Sequence, residues 1–342
     1  EITVPQSVTT IGYNALRDCG LKDFTFYATV SSIGGMAFYD TYLENLYVED
    51  LSHFLSFNQS NIDLRYTNLY VNGELVKDLV IPEGIETIPS QTFNYVSSLE
   101  SVTIPGSVMS IASEAFRGCD NLKKLTIGEG TQTIATYAFY GCENLTEVNL
   151  PSTLNAIQSY AFSGCGFTEF TIPTGVQVIN SNAFKYSWGW NEKSPLSQLR
   201  FLGDAPQIAE DGLTGITATA YYSPSNASWT EDKFRNYGGT ITWEPDPSIS
   251  GGNASGEVII IDSGSCGDNM TWTLNSEGTL TISGEGKMTG RPWMTDYKTV
   301  IKKVIIEDGV TSIADSAFYG CSSLAEITVP QSVTTIGYNA LR

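Results

Sequence analysis

The feature that most constrains this chain is a sentence written three times between Leu99 and Gly166: LESVTIPGSVMSIASEAFRGCDN, LKKLTIGEGTQTIATYAFYGCEN, LTEVNLPSTLNAIQSYAFSGCG. Phe116, Phe139 and Phe162 stand 23 residues apart, and so do Cys119, Cys142 and Cys165. A fixed period of this length predicts a solenoid in which each repeat is one coil stacked on the last.

The template is L-x-x-V-x-I-P-x-x-V-x-x-I-x-x-x-A-F-x-G-C. Its apolar positions alternate in two short runs, Leu99–Val102–Ile104 and Val108–Ile111, each a short strand with one buried face. Pro105 stands where the first strand ends, because proline cannot donate to a sheet ladder. Gly118 is expected to hold a backbone angle that other residues resist. Ala115 is small beside Phe116, and the phenylalanines are expected to stack as a column filling the coil. Neighbouring coils then sit one parallel ladder step apart, about 4.8 Å.

Five of the six cysteines, Cys19, Cys119, Cys142, Cys165 and Cys321, occupy one template slot, which other coils fill with Thr41, Val96 and Ser187. A slot that takes Cys, Val, Thr or Ser wants a small buried side chain rather than a disulfide. A linear column beside a single histidine, His53, does not converge as zinc ligands must. His53 reads as a surface or packing residue. No cofactor and no metal are expected.

Residues 1–243 read as one solenoid with an insert at 43–75 and a closing cap at 196–243. The insert contains DLSHF, a short helix, and Asn72-Gly73 between apolar runs, a hairpin signal. Between Phe184 and the cap, YSWGWNEKSP is a longer loop than other repeats carry. The cap is needed because a last coil otherwise exposes core and strand edge. Residues 244–257, rich in Pro, Gly and Ser, read as a flexible linker. Residues 258–342 read as the opening hairpin, with TWTL and TLTI flanking 275–278, and first repeats of a second module. Residues 326–342 are identical to residues 1–17, which implies a tandem duplication or a longer array cut into a piece. Residue 1 falls inside a repeat, so the chain is expected to be a fragment.

The A-F-x-G-C repeat, the VNGELVKDLVIP insert, the TAYYSPSNASWT cap and the SCGDNMTWTLNSEGTLTISGEGKM hairpin together resemble BspA-like leucine-rich repeat proteins, over nearly the whole chain. The resemblance implies a β-rich solenoid of the leucine-rich repeat class. It also implies a bacterial protein, secreted or attached to the cell surface, whose relatives adhere to host matrix proteins and other cells. It supplies no catalytic residues. Leu16 and Leu341 depart from the pattern, standing where Phe is usual.

No nucleophile elbow, metalloprotease helix, phosphate-cradling glycine motif or calcium loop is present. Carboxylates such as Glu100, Glu147 and Glu169 are dispersed over outward slots rather than paired in a cleft. The net charge of −19 excludes nucleic acid and anionic membrane as partners by repulsion, and no apolar run of 18 residues is present to insert into a bilayer. Surface remains. The outward slot Thr25, Thr103, Thr126, Asn149, Thr171 and its neighbour Asp23, Ser101, Lys124, Glu147, Glu169 should stack into columns. They form either an ordinary exposed strand surface, which Thr suits, or a flat polar binding face. Tyr186, Trp188 and Trp190 form a second candidate contact, on a long loop over a rigid scaffold. Two functions follow: an adhesin-like module, monomeric, binding proteins on host or neighbouring cells; or a carbohydrate-binding or spacer module of a larger surface protein or enzyme.

Overall fold

The computed structural model describes residues 4–56, 66–186, 194–249, 260–275 and 277–342. Each regular coil carries a four-residue strand, a two-residue strand and a turn that ends on the Phe slot. The four-residue strands pair in parallel at identical template slots, so that Lys124, Leu125, Thr126 and Ile127 face Ser101, Val102, Thr103 and Ile104. An offset of one whole repeat keeps every slot in register, and this turns sequence positions into columns. In Ser101–Ile104 and Lys124–Ile127 the second and fourth residues are buried and the first and third face outward. The two-residue strands form a six-stranded parallel sheet, from Thr87–Ile88 to Gln207–Ile208, along the back of the coil.

The turn side is a third ladder. The Phe116 amide donates to the Ala138 carbonyl at 2.8 Å, Phe139 to Ala161 at 2.9 Å, and Phe162 to Ala183 at 2.9 Å. This side needs left-handed backbone twice per coil. Gly118 supplies it at φ 66°, and a Cβ there would lie 2.2 Å from the Tyr95 ring. The other position is held by Glu114, Tyr137, Tyr160 and Asn182, at φ 56–60°. Non-glycine residues in that region cost about 1–2 kcal/mol each. The inter-coil hydrogen bonds on either side of the position offset that cost.

Phe93, Phe116, Phe139 and Phe162 are fully buried or within 1% of it and stack at 5.2, 5.2 and 5.5 Å between ring centroids. The insert does not interrupt the core. Its DLSHF segment is a short helix, Leu51–Phe54, capped by the Asp50 side chain. Phe54 points inward and lies 6.4 Å from Phe93, filling the column where no template Phe exists. His53 bonds the Val30 carbonyl through Nε2 at 2.7 Å. Asn72 and Gly73 make the turn, at φ 52° and 82°, between Asn68–Val71 and Glu74–Leu75. All six cysteines are unbridged.

Residues 196–243 keep the parallel ladder through Gln198–Phe201, Thr217–Tyr222 and Thr240–Pro245. They close over Phe201, Tyr222, Trp229, Phe234 and Trp243, whose rings lie 4.7–6.3 Å apart. Of the segment read as a linker, 244–249 are described, and Ile249 is buried; 250–257 lie outside the described residues. Beyond it, Ile260–Gly267, Met270–Asn275 and Thr279–Gly284 run antiparallel, and Thr279–Gly284 starts a parallel ladder with Lys303–Ile306 and Glu326–Thr328.

This second unit touches the first. Ala156 and Val178, on the back sheet where the other coils present Thr, Ser or Gln, pack in one apolar cluster with Trp272, Trp293 and Tyr297. Thr136 donates to Asp296, and Gln158 donates to the Tyr297 hydroxyl.

Candidate functional site

The front sheets carry the outward columns, and the structure divides them. Thr25 lies beside Tyr47 and Tyr70 in the sheet that begins at Asp23–Phe26; Tyr47 and Tyr70 stack at 4.7 Å. Thr103, Thr126 and Asn149 form one column in the middle sheet, with Val80 above them. Thr171 belongs to a third sheet, beside Arg200. The five slot residues are therefore spread over three sheets rather than one face.

Two junctions separate those sheets. At the first, Glu74–Leu75 folds back antiparallel on Asn68–Val71, Tyr70 facing Leu75 and Val71 facing Glu74, so that strand's free edge is covered from within the chain. At the second, among the described residues, Glu147–Asn149 pairs only with Lys124–Ile127, and Glu169–Ile172 only with Gln198–Phe201.

The cause is local. Phe162 and Phe184 are 22 residues apart, one short of the repeat, because the turn after Cys165 lacks a residue. The slots held by Leu145 and Val148 in the preceding coil are then filled by Phe167 and Phe170. Both rings are buried and wedge against Phe162 at 6.1 and 5.2 Å. The next step of the Phe column opens to 6.1 Å. Gly166 passes so close to the coil before it that a Cβ would sit 2.2 Å from the Glu143 carbonyl oxygen. The back sheet stays continuous here, Ala156 facing Val178 and Ile157 facing Ile179, so the coils part only at the front.

The parting is a cleft of about 590 Å³ lined by Lys124, Thr126, Glu147, Asn149, Glu169 and Arg200 at its rim, with Leu125, Val148 and Phe170 below. Val148 is half-buried, whereas Val102 and Leu125 in the same slot are buried. Lys124 Nζ lies 3.3 Å from Glu147, and Arg200 lies 2.9 Å from Asp246. Higher on the same face Glu100 sits between Lys77 and Lys123, at 2.9 and 2.7 Å. Hydrogen bonds from these two ammonium groups, Lys123 first, hold its carboxyl at about 2.

Thr126, Asn149 and Thr171, three of the five slot residues, thus meet at one cleft, while Thr25 and Thr103 lie away from it. Arg200, Phe170 and the half-open Val148 are part of the cleft that repeat reading passes over. Their signal in the sequence is the 22-residue interval and the paired phenylalanines. Of the aromatic loop, Tyr186 is half-buried; Trp188 and Trp190 lie outside the described residues. On the turn side, Arg117 lies 5.2–5.8 Å above the rings of Tyr95, Tyr137 and Tyr140, and Tyr137 stacks on Tyr160 at 4.8 Å. Among the described residues no group of three or more His, Cys, Asp or Glu is placed to hold a metal ion. No helix among them is long and apolar enough to cross a membrane.

Residues 1–63, 66–189 and 296–342 match the model of the BspA type leucine rich repeat region, in six copies. A comparison with curated proteins gives no match. Among solved structures, the chain is similar to a leucine-rich repeat protein from Bacteroides ovatus, at 19% identity over 99% of this chain and 69% of that one, with a TM-score of 0.42. It is similar to a leucine rich cell surface protein from Faecalibacterium prausnitzii, at 22% identity over 66% of this chain and 54% of that one, TM-score 0.40. It is also similar to the pneumococcal vaccine antigen PcpA, at 18% identity over 70% of this chain and 60% of that one, TM-score 0.44.

Proposed function

The chain belongs to the BspA-type leucine-rich repeat family, and from that premise we propose that it is a non-catalytic recognition module. It is displayed outside the cell, secreted or attached to the surface, and binds proteins of host or neighbouring cells in the manner of an adhesin. The observation that carries this reading is the front face. Register places Thr103, Thr126 and Asn149 in one outward column, and the cleft beside it joins polar rim to apolar floor. A rigid sheet with polar columns and one apolar recess suits a protein ligand, which needs an apolar anchor inside a polar rim.

The glycan reading asks for open aromatic faces. On the turn side Tyr137 and Tyr160 stack on one another and Arg117 lies over Tyr95, Tyr137 and Tyr140, while Tyr13, Tyr66 and Tyr338 stay exposed, so the glycan reading is kept as the alternative. An array carrying extracellular matrix proteins and glycans, probed with the chain, tests both. A protein ligand lost on Thr126→Arg with Asn149→Arg, at unchanged melting temperature, supports the front face. Binding confined to glycans and lost on Trp188→Ala with Trp190→Ala overturns it in favour of the aromatic loop.

A further inference from the structure

We propose that the cleft between Glu147–Asn149 and Glu169–Ile172 receives an extended peptide segment of the protein ligand as an added β-strand, with a Lys or Arg of that segment set against Glu169. The proposal rests on the recognition reading above and names the class of ligand.

Three observations carry it. First, the break leaves two strand edges of a parallel ladder facing the same cleft, and unpaired edges are templates for an incoming strand. Such groups must find partners in water or in a ligand. The flanking strands are three and four residues long, so the matching segment is roughly four residues at about 3.3 Å each.

Second, the chain fills its own other junction in this way. Glu74–Leu75 lies antiparallel on the edge of Asn68–Val71, and among the described residues nothing does the same at Glu147–Asn149. One break is covered from within the chain; the other is shaped for the same kind of occupant.

Third, the lining dictates what the strand presents. Alternate side chains of an inserted strand point to opposite faces. One set meets Val148 and Phe170 in the floor and should be apolar. The other meets the rim, where Lys124 is engaged by Glu147 and Arg200 by Asp246. Glu169 is exposed and has no ion pair or side-chain hydrogen bond among the described residues. A basic side chain on the ligand completes the rim, and the acidic chain as a whole, at −19, steers such segments toward it.

The test is a phage-displayed library of random heptapeptides selected on the whole 342-residue chain, followed by synthesis of the selected peptides. Selected sequences should alternate apolar and polar residues and carry Lys or Arg. N-methylation of either alternate set of backbone amides should weaken binding by about tenfold or more, because one set faces Glu147–Asn149 and the other faces Glu169–Ile172. Glu169→Lys should weaken it comparably at unchanged melting temperature. Failure to select any peptide, indifference to N-methylation, or full binding by the Glu169→Lys variant overturns the proposal. A matrix protein held by the chain but not displaced by the peptide removes the strand proposal and leaves the recognition reading standing. A peptide bound as described while every arrayed protein stays silent supports the strand and removes the adhesin reading.

Discussion

Cys142 donates its thiol to the carbonyl oxygen of Phe116, one coil back, at 3.2 Å. Cys119 does the same to Phe93 at 3.1 Å and Cys165 to Phe139 at 3.3 Å. In the coil of Thr41 the hydroxyl takes over, donating to the Leu16 carbonyl. The slot therefore takes a small side chain, whose γ donor is used by Cys119, Cys142, Cys165 and Thr41, while Val96 fills it without one. Cys142→Thr should be more stable than Cys142→Val by about 0.5–1.5 kcal/mol, the usual worth of one hydrogen bond. Denaturant midpoints of the two variants decide it, and equal midpoints would show that shape alone governs the slot.

The same burial predicts silent thiols. Desolvation pushes Cys119 and Cys165 well above the ordinary thiol range, and Cys266 and Cys321 to about 11. Only the thiolate is nucleophilic. Cys119 and Cys165, and Cys142 because it is buried out of the reagent's reach, should ignore Ellman's reagent near neutral pH in the folded chain and react once guanidinium unfolds it. Rapid native labelling of any of the three would mean that the coils open on that timescale.

Phe139 is sandwiched between Phe116 at 5.2 Å and Phe162 at 5.5 Å, with interplanar angles of 2° and 7°. Coils on both sides are tied by three ladders and collapse poorly into a void. Phe139→Ala should cost about 3–5 kcal/mol. A calorimetric or denaturant loss below about 1 kcal/mol would remove the column from the list of what holds the solenoid together.

The break in the front ladder should be visible in amide exchange. Amides of Glu169–Ile172 that face the parted coil have no ladder partner there, whereas their counterparts in Lys124–Ile127 are paired on both sides. The former should exchange faster in the native state, through local opening or none at all. Equal protection would show that the coils close on one another in solution.

The period made most of this fold legible. Register, the two strands per coil, the inward Phe and the outward Thr all follow from one template, since a parallel ladder at whole-repeat offset copies slot onto slot. The Asn72-Gly73 turn and the Asp50-capped helix were also local signals. What the template hid was its own irregularity. Phe162 to Phe184 falls one residue short, and Phe167 and Phe170 are bulkier than the residues they replace; reading for repetition treats both as noise. The cleft arises from that noise, so the outward slots Thr126, Asn149 and Thr171 were visible while their meeting place was not. The left-handed backbone at Glu114, Tyr137 and Tyr160 left no signal, because no glycine marks it. The contact through Ala156 and Val178 showed only as two apolar residues in a polar column.

That contact should respond to pH, and the sign follows from its carboxylates. Asp296 accepts from Thr136 of the solenoid. It faces Asp262 and Tyr297 of its own unit and Tyr137 across the junction. Burial, the largest cause, pushes its carboxyl above the ordinary 3.8, against the hydrogen bond from Thr136, and the Asp262 charge adds to the rise. Asp262 is raised by burial as well, despite its bond from the Tyr297 hydroxyl. A raised acid binds its proton in the docked form at pH values where the undocked form has lost it. Docked stability is then full below the ordinary carboxylate value and is lost as pH rises through the raised one. Asp296→Asn keeps the acceptor for Thr136 and removes the charge, so it should melt higher than the parent near neutral pH and show a shallower decline as pH rises above the ordinary carboxylate range. Val178→Lys, which sets a charge in the apolar part of the contact, should abolish the difference between the two. Melting curves of the parent and the Asp296→Asn chain that run parallel over that rise in pH would mean that Asp296 titrates in open water and that the two units do not hold one another through it.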